Sequence, residues 1–363
     1  MRDLCSIPLV LAVLSMSCQA GELAKRVSVC RVPGSADVVK ALTSADGTIH
    51  LLVDLDDAPR YLTSRDGGAT FSAPMAIVDA ASQKPGLKFS AWDMAVGKDG
   101  RVHVAMGNNA WKLKLPEEEW SLYYASLAPG AKAFSPVRNL NRKPSEGFSL
   151  AANERGDVAA CFLSGKLFAM ISHDEGKTFG ASAEPNPDWD PCNCCTTAAA
   201  YGPDGRLALL YREETNNDRD MYVVLWDQRG EGKAVRKRVS GTPWKIEGCP
   251  MTYFSINRTE TGYVAAWPTK GQVYFARLDK NGAVLPPGEI RAPGTAGMRT
   301  GIVALGAADG ITLAAWKNQS KDSLRWQVYD PNAKPEGEPG STKSSGAGAA
   351  AVALSDGRFL VFP

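Results

Sequence analysis

A turn followed by alternating apolar residues returns along the whole chain: SADGTIHLLVD, GKDGRVHVAM, NERGDVAACFL, GPDGRLALLYR, TETGYVAAWP, AADGITLAAW and LSDGRFLVF. The turn glycines Gly47, Gly100, Gly156, Gly205, Gly262, Gly310 and Gly357 recur about every fifty residues, the spacing of a repeat architecture. Before each lies a short strand of small apolar residues, such as ADVVKAL, WDMAV, FSLAA or GIVALG. After each of the first six comes a second hairpin, such as RYLTSRDGGATF or MYVVLWD. Period-two alternation without a helical period predicts an all-β chain, and four short strands per repeat predict the blades of a β-propeller. A single blade cannot bury both of its faces, so neighbours must stack around an axis to make a core.

Six full units precede a terminal GAAAVALSDGRFLVFP that holds only two strands. The N-terminal KRVSVCRV can supply the missing outer strands, closing the ring with strands from both termini and removing its exposed edge. Seven blades is the expectation; six with an appended pair is the alternative. The stretch DPNAKPEGEPGSTKSSG, residues 330–346, reads as a surface loop inside one domain spanning 21–363, because the strand pattern resumes after it.

Compartment and charge narrow the chemistry. MRDLCSIPLVLAVLSMSCQA, residues 1–20, combines Arg2, an apolar run from Ile7 to Met16 and small residues before Ala20, the pattern of an export signal. Cleavage after Ala20 would give a periplasmic or extracellular protein; lipidation of Cys18 is the alternative. No later stretch reaches the ~18 apolar residues of a membrane span. A formal charge of +2 with no basic run argues against nucleic acid and leaves an unknown ligand or an envelope protein as the partner.

Cysteine is where chemistry concentrates. Cys192, Cys194 and Cys195 lie in DPCNCC before the first strand of the fourth unit, and Cys249 lies in WKIEGCPM before the first strand of the fifth. Adjacent inner strands lie side by side around the channel, so the four sulfurs can meet at its mouth. Arg212, Arg219 and Asp220 flank the middle hairpin loop of the fourth unit on that face, and Trp244 and Glu247 arrive with Cys249. This convergence is the candidate binding site. Three readings of the thiols stay open: disulfides permitted by export, a soft-metal site for copper or zinc, and a redox pair tuned by Arg212 or Arg219. No cofactor is certain.

Two outer hairpins, SRDGGATF and SHDEGKTF, share Ser-x-Asp-x-Gly-x-Thr-Phe and resemble the Asp-box, or BNR, repeats of the sialidase superfamily. Asp66 and Asp174 suit backbone N–H groups of a tight turn, Gly68 and Gly176 its conformation, and Phe71 and Phe179 the space between strands. The resemblance implies a propeller fold, with these hairpins on the face opposite the site and without a catalytic part. A sialidase also needs three arginines around a substrate carboxylate, a tyrosine nucleophile with a glutamate, and an aspartate as acid/base. CRVP is similar to the Arg-Ile-Pro of that family and nominates Arg31. Arg212, Arg219 and Arg299 are further loop arginines, Asp220 an acidic neighbour, and Asp54, Asp56 and Asp57 lie in VDLDDAPR; no catalytic set is assigned. Residues 190–251, with Cys-x-Cys-Cys, an Arg-Asp pair and Trp-x-Ile-x-Gly-Cys-Pro, resemble a subgroup of exported sialidase-like propellers that brings no established reaction with it. The expected function is binding or an accessory role. An exo-sialidase-type glycoside hydrolase and a periplasmic copper- or zinc-handling protein are the alternatives.

The remaining uncommon residues have plainer readings. His50 and His103 hold equivalent places in second strands and are expected in the core, while His173 falls inside an Asp-box hairpin. Cys161 reads as a core residue and Cys30 as lying near the closing strand. Trp92, Trp267 and Trp316 read as packing between blades. NNAWKLKLPEEEWSLYY, around Trp111 and Trp120, reads as a solvated loop, with a sugar platform as the alternative.

Overall fold

The computed structural model describes residues 23–34, 36–79, 84–229 and 233–363; the expected export signal and Cys18 fall outside the described residues. Seven small sheets follow one another along the chain. Their first strands are Asp37–Thr43, Phe89–Val96, Glu146–Ala152, Ala198–Tyr201, Ser255–Arg258, Ile302–Gly306 and Ala350–Ala353. Neighbours in that series abut in a closed ring, the last against the first, so these strands line the axis of a seven-bladed, all-β propeller. Blades one, two, four, five and six have four strands. Blade three has three, with an isolated Ala169–Ala183 bridge outside them.

Blade seven joins the two ends of the chain. Ala350–Ala353 pairs antiparallel with Phe359–Phe362, and Val27–Val29 adds alongside Phe359–Val361 in parallel. The N-terminal segment thus gives the closing sheet one strand.

Second strands are sandwiched between neighbouring blades. Leu207–Arg212, Gly262–Thr269 and Thr312–Lys317 are buried at every position, which is why their sequences run apolar on both faces. His50 and His103 take their expected core places, each with Nδ1 2.6 Å from a tyrosine hydroxyl, Tyr61 and Tyr124 respectively. Trp267, Trp316 and Cys161 are fully buried. Cys30 is a free buried thiol whose Sγ donates to the Gly68 carbonyl at 3.1 Å.

The turns between first and second strands explain the repeated glycine. Six of the seven have φ between 77° and 85°, where a side chain is strained. Gly262 is different: it starts its strand, and a Cβ there would lie 2.1 Å from the Leu278 carbonyl oxygen. The two Ser-x-Asp-x-Gly-x-Thr-Phe hairpins lie on this same face. Asp66 Oδ1 accepts from Ser64 Oγ at 2.8 Å and Thr70 N at 2.9 Å; Asp174 Oδ1 does the same with Ser172 Oγ at 2.7 Å and Thr178 N at 2.9 Å. The N–H groups of Gly68 and Gly176 each donate to the hairpin serine at 2.9 Å. Phe179 packs edge-on against Tyr124, and Phe71 against the blade-one core.

One expectation is corrected. Within 330–346 the strand Pro335–Lys343 pairs with Ser323–Tyr329 and forms the outer edge of blade six. An edge strand bonds on one side only, so it admits Pro and Gly and needs no apolar alternation, which hid it in the sequence.

Candidate functional site

An antiparallel meander puts the starts of first strands and the loops after second strands on one face. That face carries two chemically distinct regions.

Over blades four and five it is closed by sulfur and arginine. Cys194 and Cys249 form a disulfide with Cα atoms 6.2 Å apart, linking the loops that enter the two blades. Cys192 and Cys195 are free thiols, each 2% exposed, with sulfurs 3.1 Å apart. Cys192 Sγ lies 3.5 Å from Cys194 Sγ and accepts from Arg219 Nη1 at 3.0 Å. Cys195 Sγ lies 3.4 Å from Thr252 Oγ1. The hydrogen bond between Cys192 and Cys195, aided by Arg212 and Thr252, lowers the Cys195 pKa, while the same bond and burial raise Cys192. The sulfurs of Cys192, Cys194 and Cys195 lie within 4.8 Å of one another, a spacing able to hold a metal ion. With Cys194 in the disulfide, two thiols of the cluster remain, and Arg219 Nη1 already donates to one of them, Cys192 Sγ.

Arg212 is the keystone of this region. It is 1% exposed, and its Nε donates to Thr252 Oγ1 at 3.2 Å, Nη1 to the Arg219 carbonyl at 2.6 Å and Nη2 to the Pro268 carbonyl at 2.5 Å. Its guanidinium also lies over the Trp244 ring at 4.8 Å. Asp220 accepts from Trp244 N at 3.2 Å and pairs with Arg238 at 2.9 Å. Glu247 is exposed. Sequence proximity to the mouth suggested ligand-facing roles for Arg212, Arg219, Asp220 and Trp244; the structure turns all four inward onto protein groups.

Over blades one to three the face is open. A cleft of about 1430 Å³ is lined by Asp37, Asp54, Asp56, Asp57, Glu146 and Lys88, together with Trp92, Trp111 and Trp120. It continues into a channel cavity of about 350 Å³ between the first strands; Asp37, Asp54, Trp92 and Phe148 line both. Asp37 and Asp54 are directly opposed cross-strand partners at the mouth end of blade one. Burial, reinforced by Asp37 and Asp57 and opposed by the Ala91 N–H, raises the Asp54 pKa to about 6. Burial likewise raises Glu146, which the positive charge of Arg299 offsets in part. Burial raises Tyr253 on the channel wall, again against Arg299. Trp111 is 60% exposed, whereas Trp120 is held by its Nε1 donating to the Leu115 carbonyl at 3.0 Å. The segment is solvated as expected, and both of its tryptophans line the cleft.

The other nominated arginines separate. Arg31 Nη2 donates to Thr342 Oγ1 at 3.0 Å and to the Lys343 carbonyl at 3.3 Å on the edge of blade six. It does not line the cleft, and neither do Arg212 and Arg219, so these three candidates for a sialidase-type carboxylate clamp do not come together there. Arg299 alone is close enough to the cleft to act on Glu146. Asp37, Glu146 and Tyr253 escaped the sequence reading. Each sits at or just before a first strand, and aligning the repeats by their turn glycines would have placed all three on one rim.

No family model matches the chain, and no curated protein matches it. Solved structures share its fold. An ulvan lyase of a polysaccharide lyase family is 12% identical with a TM-score of 0.55, over 89% of this chain and 88% of that one. A chain of the mitotic checkpoint complex is 13% identical with a TM-score of 0.51, over 90% and 84%. The arabinofuranosidase of Fusarium graminearum, 12% identical over 85% and 93%, has a TM-score of 0.47. At these identities the likeness is one of fold alone.

Proposed function

We propose that this protein is an exported propeller that binds a saccharide in the cleft over blades one to three. The carrying observation is Trp111, a largely exposed indole at the rim of a cleft whose lining also includes carboxylates and asparagines. An aromatic face against the C–H face of a sugar ring, with carboxylates and amides around its hydroxyls, is the usual division of labour in such a site. Asn108 and Asn109 complete that polar lining. The cleft volume exceeds that of a typical small-molecule pocket, which suits an oligomer of several sugar units.

Asp54 favours a second reading, glycoside hydrolysis. A carboxyl with a pKa of about 6 retains its proton in mildly acidic solution and can serve as a general acid, with Glu146 on another rim of the cleft. An array of neutral and acidic oligosaccharides, followed by calorimetric titration of the best binders and product analysis, separates the readings. Binding without turnover is expected, weakened by Trp111→Ala. Turnover lost in Asp54→Asn would establish the hydrolase, and an array without a single binder would end the saccharide reading. Absence of cleavage of a fluorogenic sialoside is expected, because Arg31 is engaged elsewhere.

A further inference from the structure

The four sulfurs of blades four and five are not used by the saccharide cleft, and their arrangement has a chemistry of its own. A half-buried disulfide, Cys194–Cys249, lies against a deeply buried dithiol, Cys192 and Cys195. Cys192 Sγ stands between them, 3.5 Å from Cys194 Sγ and 3.1 Å from Cys195 Sγ. A structural staple needs neither the second pair nor the arginines around it. A cation site is disfavoured by those same arginines, because Arg219 donates to the Cys192 sulfur and the charge of Arg212 is fully buried beside both thiols. Guanidinium groups on sulfur instead favour thiolate, the nucleophile of disulfide exchange.

We propose that Cys192, Cys194, Cys195 and Cys249 form a thiol–disulfide exchange centre in which the buried dithiol and the outer disulfide interconvert, with an external disulfide as the terminal oxidant. The steps balance. Cys192 passes its proton to the Cys195 thiolate across their 3.1 Å contact, leaving Cys192 as thiolate under Arg219. Cys192 Sγ attacks Cys194 Sγ; the Cys192–Cys194 bond forms, the Cys194–Cys249 bond breaks, and Cys249 departs as a thiolate that takes a proton from solvent. Cys195 then loses its proton to solvent and attacks Cys192 Sγ, forming Cys192–Cys195 and releasing the Cys194 thiolate, which takes up a proton. The exchange conserves oxidation state: one disulfide and one dithiol have traded places. The outer dithiol is now the more accessible pair. A low-molecular-weight disulfide reoxidises it through a mixed disulfide and leaves as two thiols, so two electrons pass from the buried pair to the external oxidant.

The test is a disulfide map of the full chain equilibrated in glutathione buffers of graded redox poise, quenched in acid, alkylated and digested for mass spectrometry. The expected result is two one-disulfide species, Cys194–Cys249 and Cys192–Cys195, in comparable amounts under mildly reducing conditions, and a two-disulfide species under oxidising ones. Cys195→Ser is expected to trap Cys192–Cys194, a pairing that no structural staple predicts. The wild-type titration stands by itself if that variant does not fold. Cys194–Cys249 as the one bond at every poise, two disulfides that resist every buffer short of unfolding, or copper or zinc retained stoichiometrically on reduced sulfurs would each overturn the proposal.

Discussion

One face of this propeller is built in two opposite ways. Over blades four and five the loops are welded by a disulfide, a buried arginine and an indole, and the polar groups there are turned onto one another. Over blades one to three the loops stand apart and leave carboxylates and tryptophans facing a cleft. The closed region spends its polar groups on internal bonds, Arg212 on Thr252 and two backbone carbonyls. In the open region Asp54 is half-buried with the Ala91 N–H as partner and acidic neighbours in Asp37 and Asp57, and it carries that imbalance as a raised pKa. Such imbalance is what a binding or catalytic surface needs and what a structural core avoids.

Arg212→Met tests the closed region most severely. It removes the donors to Thr252 Oγ1 and to the carbonyls of Arg219 and Pro268, leaving acceptors buried without partners. Loss of about 3–5 kcal/mol is expected from chemical denaturation, the range for breaking a buried charged network. A variant as stable as the parent would mean that Arg212 is held for a ligand after all. Next in size, the double variant Cys194→Ser, Cys249→Ser opens a cross-link between positions 55 residues apart. It should cost about 2–4 kcal/mol while leaving saccharide affinity unchanged. Weakened binding in that variant would show the two regions to be one site.

The two regions also differed in how far the chain disclosed them. Cys192, Cys194 and Cys195 are close in sequence and of an uncommon type, so their cluster was visible, and Cys249 joined it through the blade repeat. Their partners were legible too, though not the direction in which Arg212 and Arg219 point, because a side chain's orientation is set by packing against Trp244, Thr252 and Pro268. The cleft is drawn from three blades: Asp37 and Asp54 from the first, Trp111 from the second, Glu146 from the third. One stretch, Asn108 to Trp120, holds amide and indole groups together, but the carboxylates that face them come from other blades. The ring itself was readable because every turn repeats one local requirement, a glycine between two apolar strands. The edge strand Pro335–Lys343 was not, because pairing on one side places almost no demand on composition.

The open region should be insensitive in stability and sensitive in binding. Trp111 is 60% exposed, so Trp111→Ala is expected to alter unfolding by no more than about 0.5 kcal/mol. Saccharide affinity should fall about tenfold, the loss of roughly 1.4 kcal/mol expected for removing one stacking platform. A stability loss larger than the affinity loss would reassign this indole to packing.

Asp54→Asn is the smallest effect and the sharpest, because its sign is opposite to that of the closed-region changes. The folded pKa of Asp54, about 6, lies above the ordinary value of 3.8, so the folded state binds the extra proton between those limits. Its contribution to stability is therefore present below pH 3.8 and lost as pH rises through about 6. Asparagine has no charge to bury and can still accept the Ala91 N–H that Asp54 Oδ1 accepts at 3.1 Å. At pH 7 the variant should be more stable by about 1 kcal/mol, discounted for partial exposure, and at pH 3.5 equal to the parent. Denaturation curves at the two pH values decide it. A variant less stable at pH 7 would show that the Asp54 carboxylate is held by the fold, and would remove the distinction between the two halves of this face.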